Sequence, residues 1–172
     1  MDFDEEELAA LTEAQLDVLQ EIGNVGAGNS ATALSRLIKY RIEMNVPRVA
    51  LVPIEEVPEF VGGPELVVAG LFLRVYGKAP SNILFLIPRE SAFALVDTLY
   101  ERERGAALEF DSMDESALME IGNILAGAYL NAFYSFTGIS MLPSVPALAV
   151  DMAGAILNVV LVQLGELGDH AL

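Results

Sequence analysis

The chain has 172 residues, 53% of them apolar and 20% charged, enough for one domain with a substantial core and unlike a disordered tail. Twenty-five acidic residues against nine basic ones give a formal charge of -16, a surface that repels nucleic-acid phosphates and anionic lipid and favours a partner with basic groups at its contact face. Cysteine is absent and His170 is the sole histidine, which excludes disulfides, thiolate chemistry, histidine-centred triads and multi-histidine metal sites.

The opening MDFDEEELAA is acidic where a secretion leader would be basic, so a cytoplasmic protein is expected. Thr12-Glu13-Ala14-Gln15 has the pattern of a capping box and predicts a helix running to about Leu37, with Val18, Ile22 and Val25 as its apolar stripe. Arg48–Val57, Leu66–Tyr76 and Ser81–Ile87 are rich in valine, leucine and isoleucine and read as three strands, with a hairpin over Gly77–Pro80. Glu90–Arg104 returns to helical spacing and stops at Gly105. Ser112-Met113-Asp114-Glu115 reads as a second capping box, opening a helix to about Phe136 with Ala117, Ile121 and Ile124 on its apolar face. Pro146–Asn158 carries a helical apolar pattern with proline at its start, whereas Val159–Leu164 also suits a strand. No apolar run reaches membrane-spanning length, since Ile139–Leu164 is interrupted by Pro143, Pro146, Asp151 and Asn158, and no membrane insertion is expected.

An internal repeat organises these elements. Shifted by 99 residues, segment 17–47 falls on 116–146 with ten of 31 positions identical, among them Glu21/Glu120, Ile22/Ile121, Gly23/Gly122, Asn24/Asn123, Gly28/Gly127 and Pro47/Pro146. So long a period is not a solenoid; it predicts two related halves about a pseudo-twofold axis. The expected fold is α+β: a single domain over 1–172, its halves near 12–110 and 111–172, each a long helix plus strands, with the helices on a mixed or antiparallel sheet. Much less chain follows Pro146 than follows Pro47 in the first half, so the second half is expected to be truncated at its C-terminus.

The repeat preserves a polar set: Asp17, Glu21, Asn24 and Pro47 in one copy, Ser116, Glu120, Asn123 and Pro146 in the other. The first three of each set are spaced i, i+4, i+7, on one helix face within an arc of roughly 60°. An acid beside an amide makes no nucleophile–base pair. A carboxylate can grip a partner's lysine, however, and an amide, donor and acceptor at once, can fix a water. Phosphoryl hydrolysis asks mainly for such positioning and charge neutralisation. The bland alternatives are a solvated glutamate and a core amide, but polar residues that recur jointly in two diverged segments favour use over drift. The prolines suit loop architecture better than chemistry. Gly23, Gly26 and Gly28 sit within the first predicted helix, where either core packing or a close-approaching partner explains them. GNVGAG and GNILAG lack the Gly-Lys-Ser/Thr ending of a phosphate loop, and no metal site is expected.

The doubled pattern (Asp/Ser)-x3-Glu-x2-Asn-x22-Pro resembles the signature of the CheC/FliY/CheX chemotaxis phosphatases, and LVPIEEVP and PALAVDMAGAIL extend the likeness over most of the chain. The resemblance implies a phosphatase acting on the phospho-aspartyl response regulator CheY. Glu21 and Glu120 would salt-bridge a receiver lysine, and Asn24 and Asn123 would orient the attacking water. The chain would have no cofactor of its own, with Mg²⁺ carried by CheY. It also implies binding of the receptor deamidase CheD through a helix near the second proline, with Asp151 at the contact. The alternative is a non-catalytic CheY- or CheD-binding adaptor or a FliY-like flagellar-switch component; FliY proteins carry a further C-terminal domain.

Overall fold

The computed structural model describes residues 12–43, 49–50, 52–105, 108–164 and 170–171. In chain order the elements are α1 (Glu13–Ile38), β1 (Val52–Pro53), a 3-10 turn (Ile54–Glu56), α2 (Val57–Val61), β2 (Val67–Gly77), β3 (Ser81–Pro88), α3 (Arg89–Leu99), α4 (Ser112–Thr137), β4 (Met141–Pro143), β5 (Ala147–Met152), α5 (Ala153–Leu164) and β6 (His170–Ala171).

The two long helices are copies to their ends. Each has 26 residues, each closes a capping box at its start, and each stops on a left-handed residue. The N-caps are Thr12 and Asp111 and the C-caps Lys39 and Gly138, pairs separated by the repeat offset. The second box is therefore Asp111 with Asp114, one residue before the Ser112 start expected from sequence. Asp111 accepts from the backbone N–H of Asp114 and of Met113, which, with Arg102 nearby, holds its carboxyl below the usual range against an opposing desolvation.

β2 is the spine of an antiparallel sheet. It pairs with β3 along its length on one side, and with β5 and then β4 on the other. Its run VVAGLFLRV is apolar rather than alternating because both faces are covered. Ala69 packs with Ala92, Val96, Ala117 and Leu118, from α3 and α4, while Val68 packs with Ala153 and Ile156 of α5. The fold is thus α+β, five helices among the described residues packed on an antiparallel sheet, as expected.

Several elements depart from the sequence reading. Of the described residues in Arg48–Val57, Val52–Pro53 is strand, paired with β6, and Ile54–Val57 turns instead into a 3-10 turn and the start of α2, with Pro53 just before the turn and Pro58 in the first turn of the helix, places that proline suits. α3 ends at Leu99 and not near Gly105: Glu101 adopts φ 55°, the Arg102 N–H returns to the Asp97 carbonyl, and the Asp97 carboxylate accepts from the Gly105 N–H. Over Pro146–Asn158 the helical expectation holds for Ala153–Asn158 and fails for Ala147–Met152. Ala147–Met152 is strand, because β2 offers a ladder from Val67 to Phe72, and Val159–Leu164 is helix. The first N–H groups of α5 are met by the carbonyls of Leu66 and Pro64, which fixes its start at Ala153.

Candidate functional site

α1 turns Ile22, Gly23, Gly26, Ala27, Ser30, Ala31, Leu34 and Ile38 inward, and α4 does the same with Ala117, Leu118, Ile121, Gly122, Ala126 and Leu130. Ile22 is 1% exposed and Ile121 0%. The other side of each helix faces solvent: Asp17, Glu21 and Asn24 are exposed on α1, together with Val18, expected on the apolar stripe but 53% exposed, and Ser116, Glu120 and Asn123 on α4. The helical period does this without help, since a residue adjacent to a buried position is rotated by about 100° from it. The result is two polar faces, each presenting a carboxylate one turn before an amide, with Cβ atoms about 5–6 Å apart. At the leading position Ser116 donates its hydroxyl to the Ser112 carbonyl of its own helix, 2.8 Å away, which suits a supporting place on that face.

The helix glycines separate into two kinds. A Cβ on Gly26 would stand 3.1 Å from the Tyr129 Cα, and one on Gly122 3.1 Å from a Leu71 methyl, so these two permit α1–α4 and α4–sheet packing. Gly28 and Gly127 meet nothing within 4 Å and have no left-handed φ. Sequence spacing alone groups Gly26 with Gly28; only the packing distinguishes them.

Pro146 and Asp151 come after α4 has ended. Pro146 is buried between β4 and β5. Val75 of β2 faces Pro143 and Phe72 faces Ala147, so two residues of β2 oppose three of the partner: a bulge, which takes up a proline that cannot donate to a ladder. The Arg74 N–H donates to the Ser144 hydroxyl at 3.0 Å and the Ser144 N–H to the Arg74 carbonyl at 2.7 Å, closing the gap. Pro47 lies outside the described residues. Asp151 is exposed at the end of β5, its carboxylate accepting from the Met152 N–H at 2.7 Å; it belongs to a strand that pairs with β2, and not to a helix as expected, because the helix begins two residues later. Among the described residues no helix is long and apolar enough to cross a membrane.

Comparison with known proteins gives this arrangement a family. The model of the CheC-like family matches residues 15–51 and 113–150, the segments that hold the two polar faces. The chain is 38% identical over 164 residues to the CheY-P phosphatase CheC of Bacillus subtilis, covering 94% of this chain and 78% of that one. It is 29% identical over 123 residues to the flagellar motor switch phosphatase FliY of the same organism, covering 71% of this chain and 32% of that longer protein. In structure it resembles Thermotoga maritima FliY, with a TM-score of 0.72 and 20% identity over 82% of this chain and 70% of the other, a likeness of fold. With two motif segments matched and more than a third of nearly the whole chain identical to a CheC protein, the chain belongs to the CheC-like family.

Proposed function

We propose that this chain is a cytoplasmic phosphatase that hydrolyses the acyl phosphate of phosphorylated CheY, with one site on α1 and one on α4. The observation that carries this reading is the twofold exposure of a glutamate and an asparagine one turn apart, on the solvent side of two helices whose other side is buried. The naming of the Bacillus subtilis relative as a CheY-P phosphatase supports it.

Under this reading Glu21 and Glu120 pair with a lysine of the receiver and set its orientation. Asn24 and Asn123 accept from and donate to a water, holding it in line with the phosphorus. The water oxygen forms the new P–O bond while the bond to the aspartyl oxygen breaks; the carboxylate leaves, the protons pass to solvent, and inorganic phosphate departs. Mg²⁺ travels with the receiver as part of the substrate, and the chain contributes no metal of its own. Asp17 and Ser116 support the helix face, and Pro146 shapes the chain that follows α4. A positioned hydrogen-bonding group of this kind is worth roughly 10²–10³ in rate.

CheD is the second partner in this reading, met through Asp151. Its exposed place at the end of β5 supports that role. Asp151→Lys should weaken CheD binding about tenfold in a calorimetric titration, through like-charge or mismatched contact; unchanged affinity would remove Asp151 from the contact.

The function is tested by following the acyl phosphate of phospho-CheY with and without the purified chain. A shortened lifetime is expected. Binding with an unchanged lifetime would mark an adaptor instead and overturn the enzymatic reading.

A further inference from the structure

Gly28 and Gly127 occupy equivalent places in the repeat and stand one turn beyond Asn24 and Asn123. At helical spacing each joins its glutamate and asparagine within the same arc of roughly 60°. A glycine inside a helix is unfavourable by about 0.8–1 kcal/mol relative to alanine, so its presence calls for a compensating use. Three internal uses are excluded by the surroundings. Neither glycine has a left-handed φ, neither would crowd a neighbour if it carried a Cβ, and α1 and α4 run through them unbroken to Ile38 and Thr137, so neither is a cap. The contrast with Gly26 and Gly122, where an added Cβ would stand 3.1 Å from neighbouring atoms, shows what a packing glycine looks like in these same helices.

We infer that Gly28 and Gly127 are docking residues: their missing side chains let the phosphorylated receiver settle against the helix backbone, which sets the distance from Asn24 and Asn123 to the phosphoryl group. The inference rests on the reading of the two helix faces as phosphatase sites. It extends that reading past the acid and amide to a steric requirement one turn further along, identical in both copies. The clearance lies outside the protein's own core, so the fold gains from filling it while the partner loses. That opposition of signs separates a docking glycine from a structural one.

The experiment compares the wild type with Gly28→Gln, Gly127→Gln and the double variant, measuring thermal unfolding and steady-state dephosphorylation of phospho-CheY. Glutamine is a good helix former, and each substitution should raise Tm by roughly 2–4 °C. The double variant should show KM raised about tenfold, an overpacking penalty expressed as affinity. Each single variant should keep the other site and lose about half the activity at subsaturating receiver, as two like sites dictate. Variants with a lower Tm, or with a raised Tm and unchanged KM beside an active wild type, would overturn the assignment of the glycines alone. A wild type that neither binds nor dephosphorylates the receiver would remove the phosphatase reading and this inference with it.

Discussion

Asp114 shows how a single buried charge ties the two halves of the chain together. It is 1% exposed, and its carboxylate takes the Arg102 guanidinium at 2.7 Å on one oxygen and the Asp111 N–H at 3.1 Å on the other. Arg102 also lies over the Tyr100 ring, with 4.7 Å from its guanidinium carbon to the ring centroid. The pair locks the turn after α3 to the first turn of α4, and so fixes where the second polar face begins. Removing the arginine would deprive a nearly buried carboxylate of its ion-pair partner. Arg102→Ala is expected to cost about 3 kcal/mol in denaturant unfolding; a midpoint unchanged from wild type would show that Asp114 finds other compensation.

The contact between α1 and α4 depends on asymmetry between two otherwise similar elements. Where copy one has Gly26 and Ser30, copy two has Leu125 and Tyr129. The bare backbone at Gly26 takes the close approach of Tyr129, whose phenol pKa is raised by that burial. Gly26→Val would press on Tyr129 backbone that cannot swing aside. It should destabilise the protein by about 1–3 kcal/mol in thermal or denaturant unfolding, and a neutral effect would contradict the packing described.

At this scale the sequence was informative wherever a local signal decided the structure. The Thr12 capping box and the apolar positions Ile22 and Ile121 suffice to place both helices, and Gly77 with Pro80 suffices for the hairpin. It was uninformative where a distant element decided. Ala147–Met152 has a helical pattern but lies beside β2, and Arg48–Val57 has strand composition but carries Pro53 and, among the described residues, pairs with β6 over Val52 and Pro53 alone. Asp97, which takes the Gly105 N–H and ends the helix early, gives no sign of that in its spacing.

For the whole molecule, the candidate site was legible because it is doubled. A lone exposed glutamate and asparagine on a helix mean little, but the same pair at the same spacing in both halves, exposed both times, singles itself out. Pro146 was visible as part of the pattern, yet its place in a bulge depends on pairing with β2, which spacing cannot express. The open space around Gly28 and Gly127 was likewise invisible until neighbouring atoms were in place. Whether the exposed asparagines do chemistry, and not merely make contact, is decided by single-turnover decay of phospho-CheY with Asn24→Ala/Asn123→Ala, alongside a binding titration of the same protein. A rate lower by roughly 10²–10³ with receiver affinity little changed is expected; wild-type turnover from the double variant would deny the asparagines a part in the reaction.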